Sequence, residues 1–248
     1  MLGWCLGQGR PIRIQPREAL PILVAGVLLF VQISLLNLGA NLTNSAHATL
    51  FINTHPVFVA IIAHFFLVGD ALTRRKVGGL AVAVSGIVLI VYLSGTAGST
   101  RNNPTPVGDL IVLASGALLG IKTVYVKHIL PIVEPAKLLF WHDVIGVALF
   151  FGASFIFEDV DAYRFTVRSV LSLLYQGIIV AGFCFAAWTW LLRTHRASQL
   201  TVFAFVTPIV GVLLSHLLRG NPIGLGLGVA GLAIATGVYL VSTSRARP

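Results

Sequence analysis

Eight long apolar segments constrain this chain more than any other feature of its sequence. They cover roughly residues 19–40, 46–68, 77–95, 107–127, 136–157, 170–192, 198–218 and 223–243. A helix needs about 20 mostly apolar residues to cross the hydrocarbon core of a bilayer, and each segment is close to that length. None shows the ten-residue alternation of an outer-membrane β-barrel. The pattern predicts an all-α integral membrane protein with eight transmembrane helices, named spans A to H in chain order.

The composition supports this class and excludes others. Apolar residues make up 56% and charged residues 10% of the 248 residues, against about 25% charged residues in soluble domains. The net charge is +9, but the basic residues are scattered between apolar segments and form no single basic face for nucleic acid. We therefore expect a lipid bilayer and a small-molecule substrate as partners, and no nucleic acid. The sequence leaves the oligomeric state open between a monomer and a homodimer.

The basic residues also predict the orientation of the chain. Of the 17 Lys and Arg residues, Lys122 lies within a span. If the N-terminus is inside, only four lie on the outer side of the membrane, namely Arg101, Arg164, Arg168 and Arg219. The rest lie on the inner side, and cytoplasmic loops are enriched in Lys and Arg. We expect a multi-pass protein of the cell (plasma or inner) membrane with both termini in the cytoplasm.

Spans B and G carry the same pattern of residues at an offset of 152 (201 minus 49). The matching pairs are Thr49 and Thr201, Phe51 and Phe203, Pro56 and Pro208, and His64 and His216. The two copies lie five spans apart, so they run in opposite directions across the membrane. Inverted repeats with proline-interrupted helices indicate a transporter whose site lies at the repeat interface. The simpler alternative is that proline is common in membrane helices. The pattern favours the repeat, with Pro56 and Pro208 as structural hinges.

Charged side chains are costly inside the bilayer, so they tend to face cavities or partners. Lys122 in span D and Asp143 in span E lie at similar depth and form a candidate ion pair. Snorkelling of Lys122 to the interface, a structural pair and a substrate contact are equally good explanations. His55 precedes Pro56, which removes a helix hydrogen bond and leaves carbonyls one turn back free to face a polar path. For His55 itself, a packing role is favoured over proton transfer.

The remaining candidates are neutral. Asn37 belongs to a polar stripe on span A, and helix–helix hydrogen bonding explains this stripe as well as cavity lining does. Gln176 in span F needs partners if it is buried, and Trp188 on the same span could form an aromatic wall. The predicted substrate-binding residues are Asn37, His55, Lys122, Tyr125, Gln176 and Trp188.

Sequence motifs for enzyme chemistry are missing. The chain has no HExxH, no GxSxG, no Cys and His spacing for a metal, and no pair of catalytic carboxylates. We expect no catalytic residues, no metal and no cofactor. An integral-membrane enzyme is the weaker alternative, because only the Lys122 and Asp143 pair approaches an acid–base site.

Three stretches resemble the EamA-type permeases of the drug/metabolite transporter superfamily. They are residues 173–221 (LLYQGIIVAGFCFAAWTWLLRTHRASQLTVFAFVTPIVGVLLSHLLRGN), residues 45–91 and residues 116–130. The resemblance implies ten helices in two inverted repeats of five, and transport or export of small organic metabolites by alternating access. It implies amino acids, metabolites or drugs as substrates, without choosing among them.

Two features depart from this family pattern. Eight spans imply that the first two helices are missing, with residues 1–9 as the end of the second. The resemblance then divides the chain into a truncated first repeat (1–95), a linker (96–106) and a complete second repeat (107–248). A truncated, non-transporting fragment is therefore an alternative to a working transporter. The Gly-Glu that usually follows each proline-containing helix is Gly69-Asp70 in the first repeat and Gly220-Asn221 in the second.

Overall fold

The computed structural model describes residues 13–95, 105–157, 166–210, 213 and 225–244, and no β-strand occurs among them. The helices are α1 (Pro16–Leu42), α2 (Ser45–Ile52), α3 (His55–Phe66), α4 (Arg74–Gly95), α5 (Pro106–Ile129), α6 (Pro135–Phe157), α7 (Val167–Tyr175), α8 (Phe185–Thr194), α9 (Ala197–Thr201) and α10 (Leu225–Ser242). A π-helical segment, Gln176–Cys184, joins α7 to α8, and a 3-10 segment, Val202–Phe205, follows α9. The prediction of an all-α membrane fold is confirmed.

Within the described residues, five helical runs are long and apolar enough to cross a membrane. They are Pro16–Leu42, His47–Phe66, Pro106–Ile129, Pro135–Phe157 and Val167–Thr194, and two shorter apolar helices are Ala197–Val210 and Gly228–Ser242. Together with α4 they fall on spans A to H. Residues 1–9, residues 96–104 of the linker, His216, the Gly220-Asn221 pair and both termini lie outside the described residues.

Three spans differ, within the described residues, from the single regular helices expected, and in one of them, span G, the 3-10 segment Val202–Phe205 interrupts the α-helix. Span B is interrupted at Asn53 and Thr54, because Pro56 cannot continue the hydrogen bonding of the preceding turn. Span F changes to π geometry, in which the Phe185 amide donates to the Val180 carbonyl five residues back. The sequence pattern gave no sign of this π segment, since the apolar residues run through it without a break.

The helix starts follow from the residues found there. Pro16, Pro106 and Pro135 open three of the long helices, where the missing N–H of proline costs nothing. Asn44 caps α2 through its side-chain oxygen, which accepts from the His47 amide at 2.8 Å. Thr166 forms a capping box with Ser169 at the start of α7.

Contacts group the chain into two compact units. Unit 1 takes the residues up to Val31 together with Tyr125–His195, and unit 2 takes Gln32–Val124 with the residues from Arg196 onward. Helices α1 and α5 contribute residues to both units. The two units are defined by contacts between residues. They differ from the predicted repeats at 1–95 and 107–248, and the division into repeats stays a prediction.

In unit 1, α1 packs on α6 through glycines and aromatic rings. A Cβ at Gly26 would lie 2.6 Å from the Ile145 side chain, and the Phe30 and Phe150 rings meet edge to face at 4.9 Å. A buried ion pair of 3.0 Å between Lys137 Nζ and Glu18 Oε2 adds an electrostatic link. The first part of α1 is therefore fixed along α6.

In unit 2, a buried apolar core joins α3, α4, α10 and the segment that follows α9. Its fully buried members include Ala83, Ile87, Phe205 and Ile234. Helices α4 and α10 approach closely at Gly237, where an added Cβ would lie 2.5 Å from the Gly79 carbonyl oxygen. Small residues allow such close approach between membrane helices.

The contact of α4 with α10 can be tested with Gly237→Ala. The new methyl group would lie 2.5 Å from Gly79 O and 2.6 Å from Ala83 Cβ, so the helices must separate. We expect a loss of about 1–3 kcal/mol of stability, as for other overpacked cores, measured by thermal unfolding in detergent. Gly78→Ala is the matched control, because a Cβ there meets nothing within 4 Å. Equal melting temperatures for the two variants would contradict this packing.

Candidate substrate site

The two helices that contain Pro56 and Pro208, called the proline-bearing helices from here on, lose regular α geometry shortly before the proline. Asn53 and Thr54 form a turn between α2 and α3, with Pro56 in the first turn of α3. In the second copy, the 3-10 segment Val202–Phe205 ends three residues before Pro208. Proline lacks an N–H, and its ring clashes with the carbonyl one turn back. The matching sequence pattern therefore coincides with matching departures from α geometry, while a hinge function at the two prolines stays a prediction.

The carbonyls near the first break are bound by local side chains. Asn53 Nδ2 donates to Thr49 O at 2.8 Å, Thr54 Oγ1 donates to Phe51 O at 2.6 Å, and His55 Nδ1 lies 3.2 Å from Ile52 O. Since a carbonyl oxygen only accepts, His55 Nδ1 carries the proton of that hydrogen bond. The sequence suggested that these carbonyls open onto a polar path. In the structure the turn provides its own donors, and His55 has a local structural partner.

Helix α5 lies close against this break. A Cβ at Gly116 would lie 3.1 Å from Phe51 O, and one at Gly120 would lie 2.8 Å from Phe58 Cβ. Both glycines are buried. The four-residue spacing of the glycines therefore serves close packing of α5 on the broken helix, on both sides of the turn.

A buried polar pair in the same unit was missed by the sequence analysis. Gln32 Nε2 donates to Ser115 Oγ at 3.1 Å, and Ser115 Oγ donates to the Gln32 carbonyl oxygen at 2.9 Å. The pair connects α1 to α5 beside Gly116. A usable signal existed, since an amide within an apolar span needs a partner, but nothing in the sequence pointed to Ser115, 83 residues away.

Three of the predicted substrate-binding residues belong to unit 2. Asn37 is exposed on α1, His55 is half-buried at the start of α3, and Lys122 is half-buried on α5. Unit 2 therefore contains His55 beside the helix break, with Asn37 and Lys122 on the two helices connected by the Gln32–Ser115 pair. Their role in binding stays a prediction.

The other three belong to unit 1. The Tyr125 hydroxyl donates to the Pro21 carbonyl at 3.2 Å and so connects α5 to α1. Trp188 is half-buried on α8. Gln176 is exposed where α7 meets the π segment and borders an open hollow of about 680 Å³, lined by Val167, Arg168, Leu171, Ser172, Tyr175 and Gln176.

The candidate ion pair involves one residue from each unit. Asp143 Oδ1 lies 3.0 Å from His142 Nδ1, its neighbour on α6, and Lys122 belongs to unit 2. The pairing of Lys122 with Asp143 stays a prediction. Among the described residues, no group of three or more His, Cys, Asp or Glu side chains could hold a metal ion.

Asp70 forms the most deeply buried charged cluster of unit 2. It follows Gly69, whose φ of +81° is a left-handed conformation suited to glycine. Lys76 Nζ lies 2.6 Å from Asp70 Oδ1, the Ser198 amide donates to Oδ2 at 3.0 Å, and the Ser198 hydroxyl donates to Oδ1. The exposed fractions are 2% for Asp70, 0% for Lys76 and 0% for Ser198. We call these three residues the Asp70 clamp.

The clamp also sets the ionisation of its carboxylate. Burial by itself raises the pKa of Asp70, but the hydrogen bonds from Lys76 and Ser198, with the Lys76 charge, together hold it below its usual value of 3.8. Asp70 is therefore charged at neutral pH and caps the start of α9 from a loop 128 residues away. A carboxylate is favourable at this position because it accepts from an otherwise unsatisfied helix amide.

The sequence model of the EamA-like transporter family matches residues 1–92 and 106–243. This chain belongs to the EamA-like transporter family. The expected family resemblance is thus confirmed. An EamA chain of this kind is an integral membrane protein, and its family indicates a transporter of small molecules rather than an enzyme.

Named relatives agree with this membership, and a solved structure shares the fold. The uncharacterized transporter YoaV of Bacillus subtilis is 25% identical over 234 residues, covering 94% of this EamA chain and 79% of the relative. The probable terminal-alkyne amino-acid exporter of Streptantibioticus cattleyicolor is 26% identical over 216 residues, covering 84% and 67%. A protein crystal structure matches with a TM-score of 0.83 at 19% identity, covering 98% of this chain and 83% of the other, which shows the fold alone.

The Asp70 clamp predicts a pH dependence in this EamA chain. Because the pKa of Asp70 is lowered by folding, its contribution to stability is complete above the unfolded value and is lost as the pH falls through the folded one. We expect Asp70→Asn to cost about 3–5 kcal/mol near neutral pH, as for other broken buried pairs. The difference from the parent chain should shrink below about pH 4.

Thermal unfolding in detergent between pH 3 and pH 8 measures this difference. Arg75→Gln is the control, since Arg75 is an exposed neighbour of Lys76 and its loss should leave the pH profile unchanged. A difference between the parent and Asp70→Asn that stays constant down to pH 3 would contradict the proposed ionisation.

Proposed function

We propose that this protein exports small organic metabolites of the amino-acid class across the cell membrane by alternating access. One observation carries the proposal beyond family membership. The two proline-bearing helices both depart from α geometry within a few residues before their matching prolines, and both contribute to the buried core of unit 2. Broken helices at corresponding positions of inverted repeats are where membrane transporters form their sites.

The amino-acid class follows from a relative and from the chemistry of the candidates. The probable exporter of Streptantibioticus cattleyicolor is named for terminal-alkyne amino acids. In this chain the candidates combine a cation, Lys122, with amide groups on Asn37 and Gln176 and an aromatic ring on Trp188. Such a set can bind a carboxylate, hydrogen-bond polar groups and contact an apolar side chain.

The proposed substrate-binding residues are those predicted from the sequence. We propose that Lys122 binds the carboxylate of the substrate, because a cation within a span tends to face a cavity or a partner. His55 shapes the helix break through its hydrogen bond to Ile52. Tyr125 positions α5 through Pro21, while Asn37, Gln176 and Trp188 line the path.

The proposed location is the cell membrane with both termini in the cytoplasm, because most Lys and Arg residues then lie inside. This orientation places the Asp70 clamp at the inner side. A cysteine at Val68, which is fully exposed in that loop, should react with a membrane-impermeant maleimide in inside-out vesicles and not in intact cells, in a chain with Cys5 and Cys184 replaced by serine. Labelling in intact cells would reverse the orientation.

Exchange across proteoliposomes tests the transport proposal. Vesicles holding the purified chain are loaded with unlabelled propargylglycine, a terminal-alkyne amino acid, or with leucine, phenylalanine or lysine, and uptake of the labelled compound is followed. We expect at least one compound to exchange at ten times the rate of protein-free vesicles. A folded, monodisperse chain that moves none of them would overturn the proposal in favour of the non-transporting fragment.

Variants then test the proposed site with the compound that exchanges. Lys122→Gln and Gln176→Ala should each lower the exchange rate at least tenfold at equal protein amounts, because each removes a group that binds the substrate. The exposed Arg75→Gln serves as control. Normal exchange in both site variants would remove these two side chains from the substrate path.

A further inference from the structure

The Asp70 clamp connects the two proline-bearing helices of unit 2. Asp70 lies just beyond the C-terminal end of α3, and Ser198 lies in the first turn of α9. Helices α3 and α9 also pack against each other. The carboxylate therefore fastens the end of one proline-bearing helix to the beginning of the other.

The hydrogen bonds and the burial of the Asp70 clamp favour its closed form. Each carboxylate oxygen accepts a hydrogen bond from Ser198, and Oδ1 also accepts one from Lys76. All three residues are buried. Opening the clamp would leave the Lys76 ammonium and the Asp70 carboxylate without partners in a site closed to water, which is strongly unfavourable.

Each helix also contains a weak point away from the clamp. On the first helix it is the turn at Asn53 and Thr54, beyond the far end of α3. On the second it is the 3-10 segment Val202–Phe205, directly after α9. A 3-10 stretch within a helix is a frequent hinge, and proline weakens hydrogen bonding in the turn before it. The parts α3 and α9 are thus bounded by the clamp on one side and by a weak point on the other.

In the sequence, the acid and the serine of the clamp occur in one copy of the repeat. The offset of 152 aligns Ser198 with Ala46, and the one-residue slip aligns Asp70 with Asn221. The helix that corresponds to α9 is α2, which is capped by its own neighbour Asn44 through the His47 amide. An acid and a serine therefore meet at one end of the paired helices, and the sequence provides no such pair for the other copy.

We propose that the Asp70 clamp is a fixed pivot of the transport cycle, and that the proline-bearing helices move at Asn53–Thr54 and Val202–Phe205 while the clamp stays closed. This inference rests on the proposed alternating access. It makes Asp70 a positioning residue, because it acts through Ser198 and Lys76 and touches no substrate.

Distances between spin labels test the pivot without a substrate. In the full chain with Cys5 and Cys184 replaced by serine, one label pair at Phe66 and Leu200 reports across the clamp, and a second at Leu42 and Val210 reports beyond the weak points. Leu42, Phe66 and Val210 are exposed, and Leu200 on α9 is half-buried. In lipid nanodiscs we expect one narrow distance distribution for the first pair and a distribution at least twice as broad for the second.

Substitutions test whether the clamp residues cause the narrow distance distribution. Asp70→Asn should broaden the Phe66–Leu200 distribution at least twofold, Ser198→Ala should broaden it less, and Arg75→Gln should leave it unchanged. If Asp70→Asn does not accumulate in the membrane, Ser198→Ala provides the test, because it keeps the bond from the backbone amide. Equal widths for the two pairs in the parent chain, or no broadening in the accumulated clamp variants, would overturn the pivot.

Exchange of labelled propargylglycine provides the functional readout. We expect Asp70→Asn to lower kcat at least tenfold with KM changed less than twofold, and Asp70→Glu to restore part of the rate. A tenfold rise in KM with kcat unchanged would place Asp70 in substrate binding and overturn the inference. If the parent chain exchanges no compound, the transport proposal fails, and the label distances still show whether the clamp is fixed.

Discussion

A helix that crosses hydrocarbon must satisfy its backbone polar groups within the protein, and this constraint determines how the chain handles Pro56 and Pro208. Each proline removes an N–H from the helix and disturbs the turn before it. At Pro56 the response is a turn in which three neighbouring side chains occupy the carbonyls of Thr49, Phe51 and Ile52. The polar cluster Asn53, Thr54 and His55, unusual within a membrane span, is explained by this need.

Charged side chains near the helix ends also find their partners within the protein. Lys127 Nζ donates to the carbonyls of Leu192 and His195, at the end of α8, at 2.6 and 2.8 Å. The Glu18–Lys137 pair and the Asp70 clamp lie near helix termini and are almost fully buried. Glu18, Asp70 and Lys127 thus sit where helix dipoles and unsatisfied backbone groups stabilise them. Lys76 and Lys137 lie in the first turns of α4 and α6, so their carboxylate partners stabilise them instead. They connect elements that are distant in sequence, while the apolar middles of the helices pack through glycine and aliphatic residues.

The sequence allowed the helices, the membrane class, the family and the unusual behaviour of both prolines to be predicted, because these depend on local hydropathy and on the chemistry of single residues. The family pattern also marked Asp70 as notable. Its partners could not be predicted, since Ser198 is 128 residues away and its contact depends on tertiary packing. Gln32 and Ser115 were missed for the same reason. For the candidate site, the sequence predicted which residues take part. The structure adds the local hydrogen-bond partners of His55 and Tyr125 and the hollow beside Gln176.

The π segment changes which residues of span F lie on the same side of the helix. A π turn takes up more residues than an α turn, so the nine residues from Gln176 to Cys184 rotate α8 relative to the direction it would have in an unbroken α-helix. Arg168, Ser172 and Gln176 follow four-residue spacing and share one side of α7, but this periodicity cannot be extended to Trp188. The angle between the Gln176 and Trp188 side chains around the helix axis is therefore set by the π segment between them. A single insertion or deletion within that stretch would redirect every side chain beyond it.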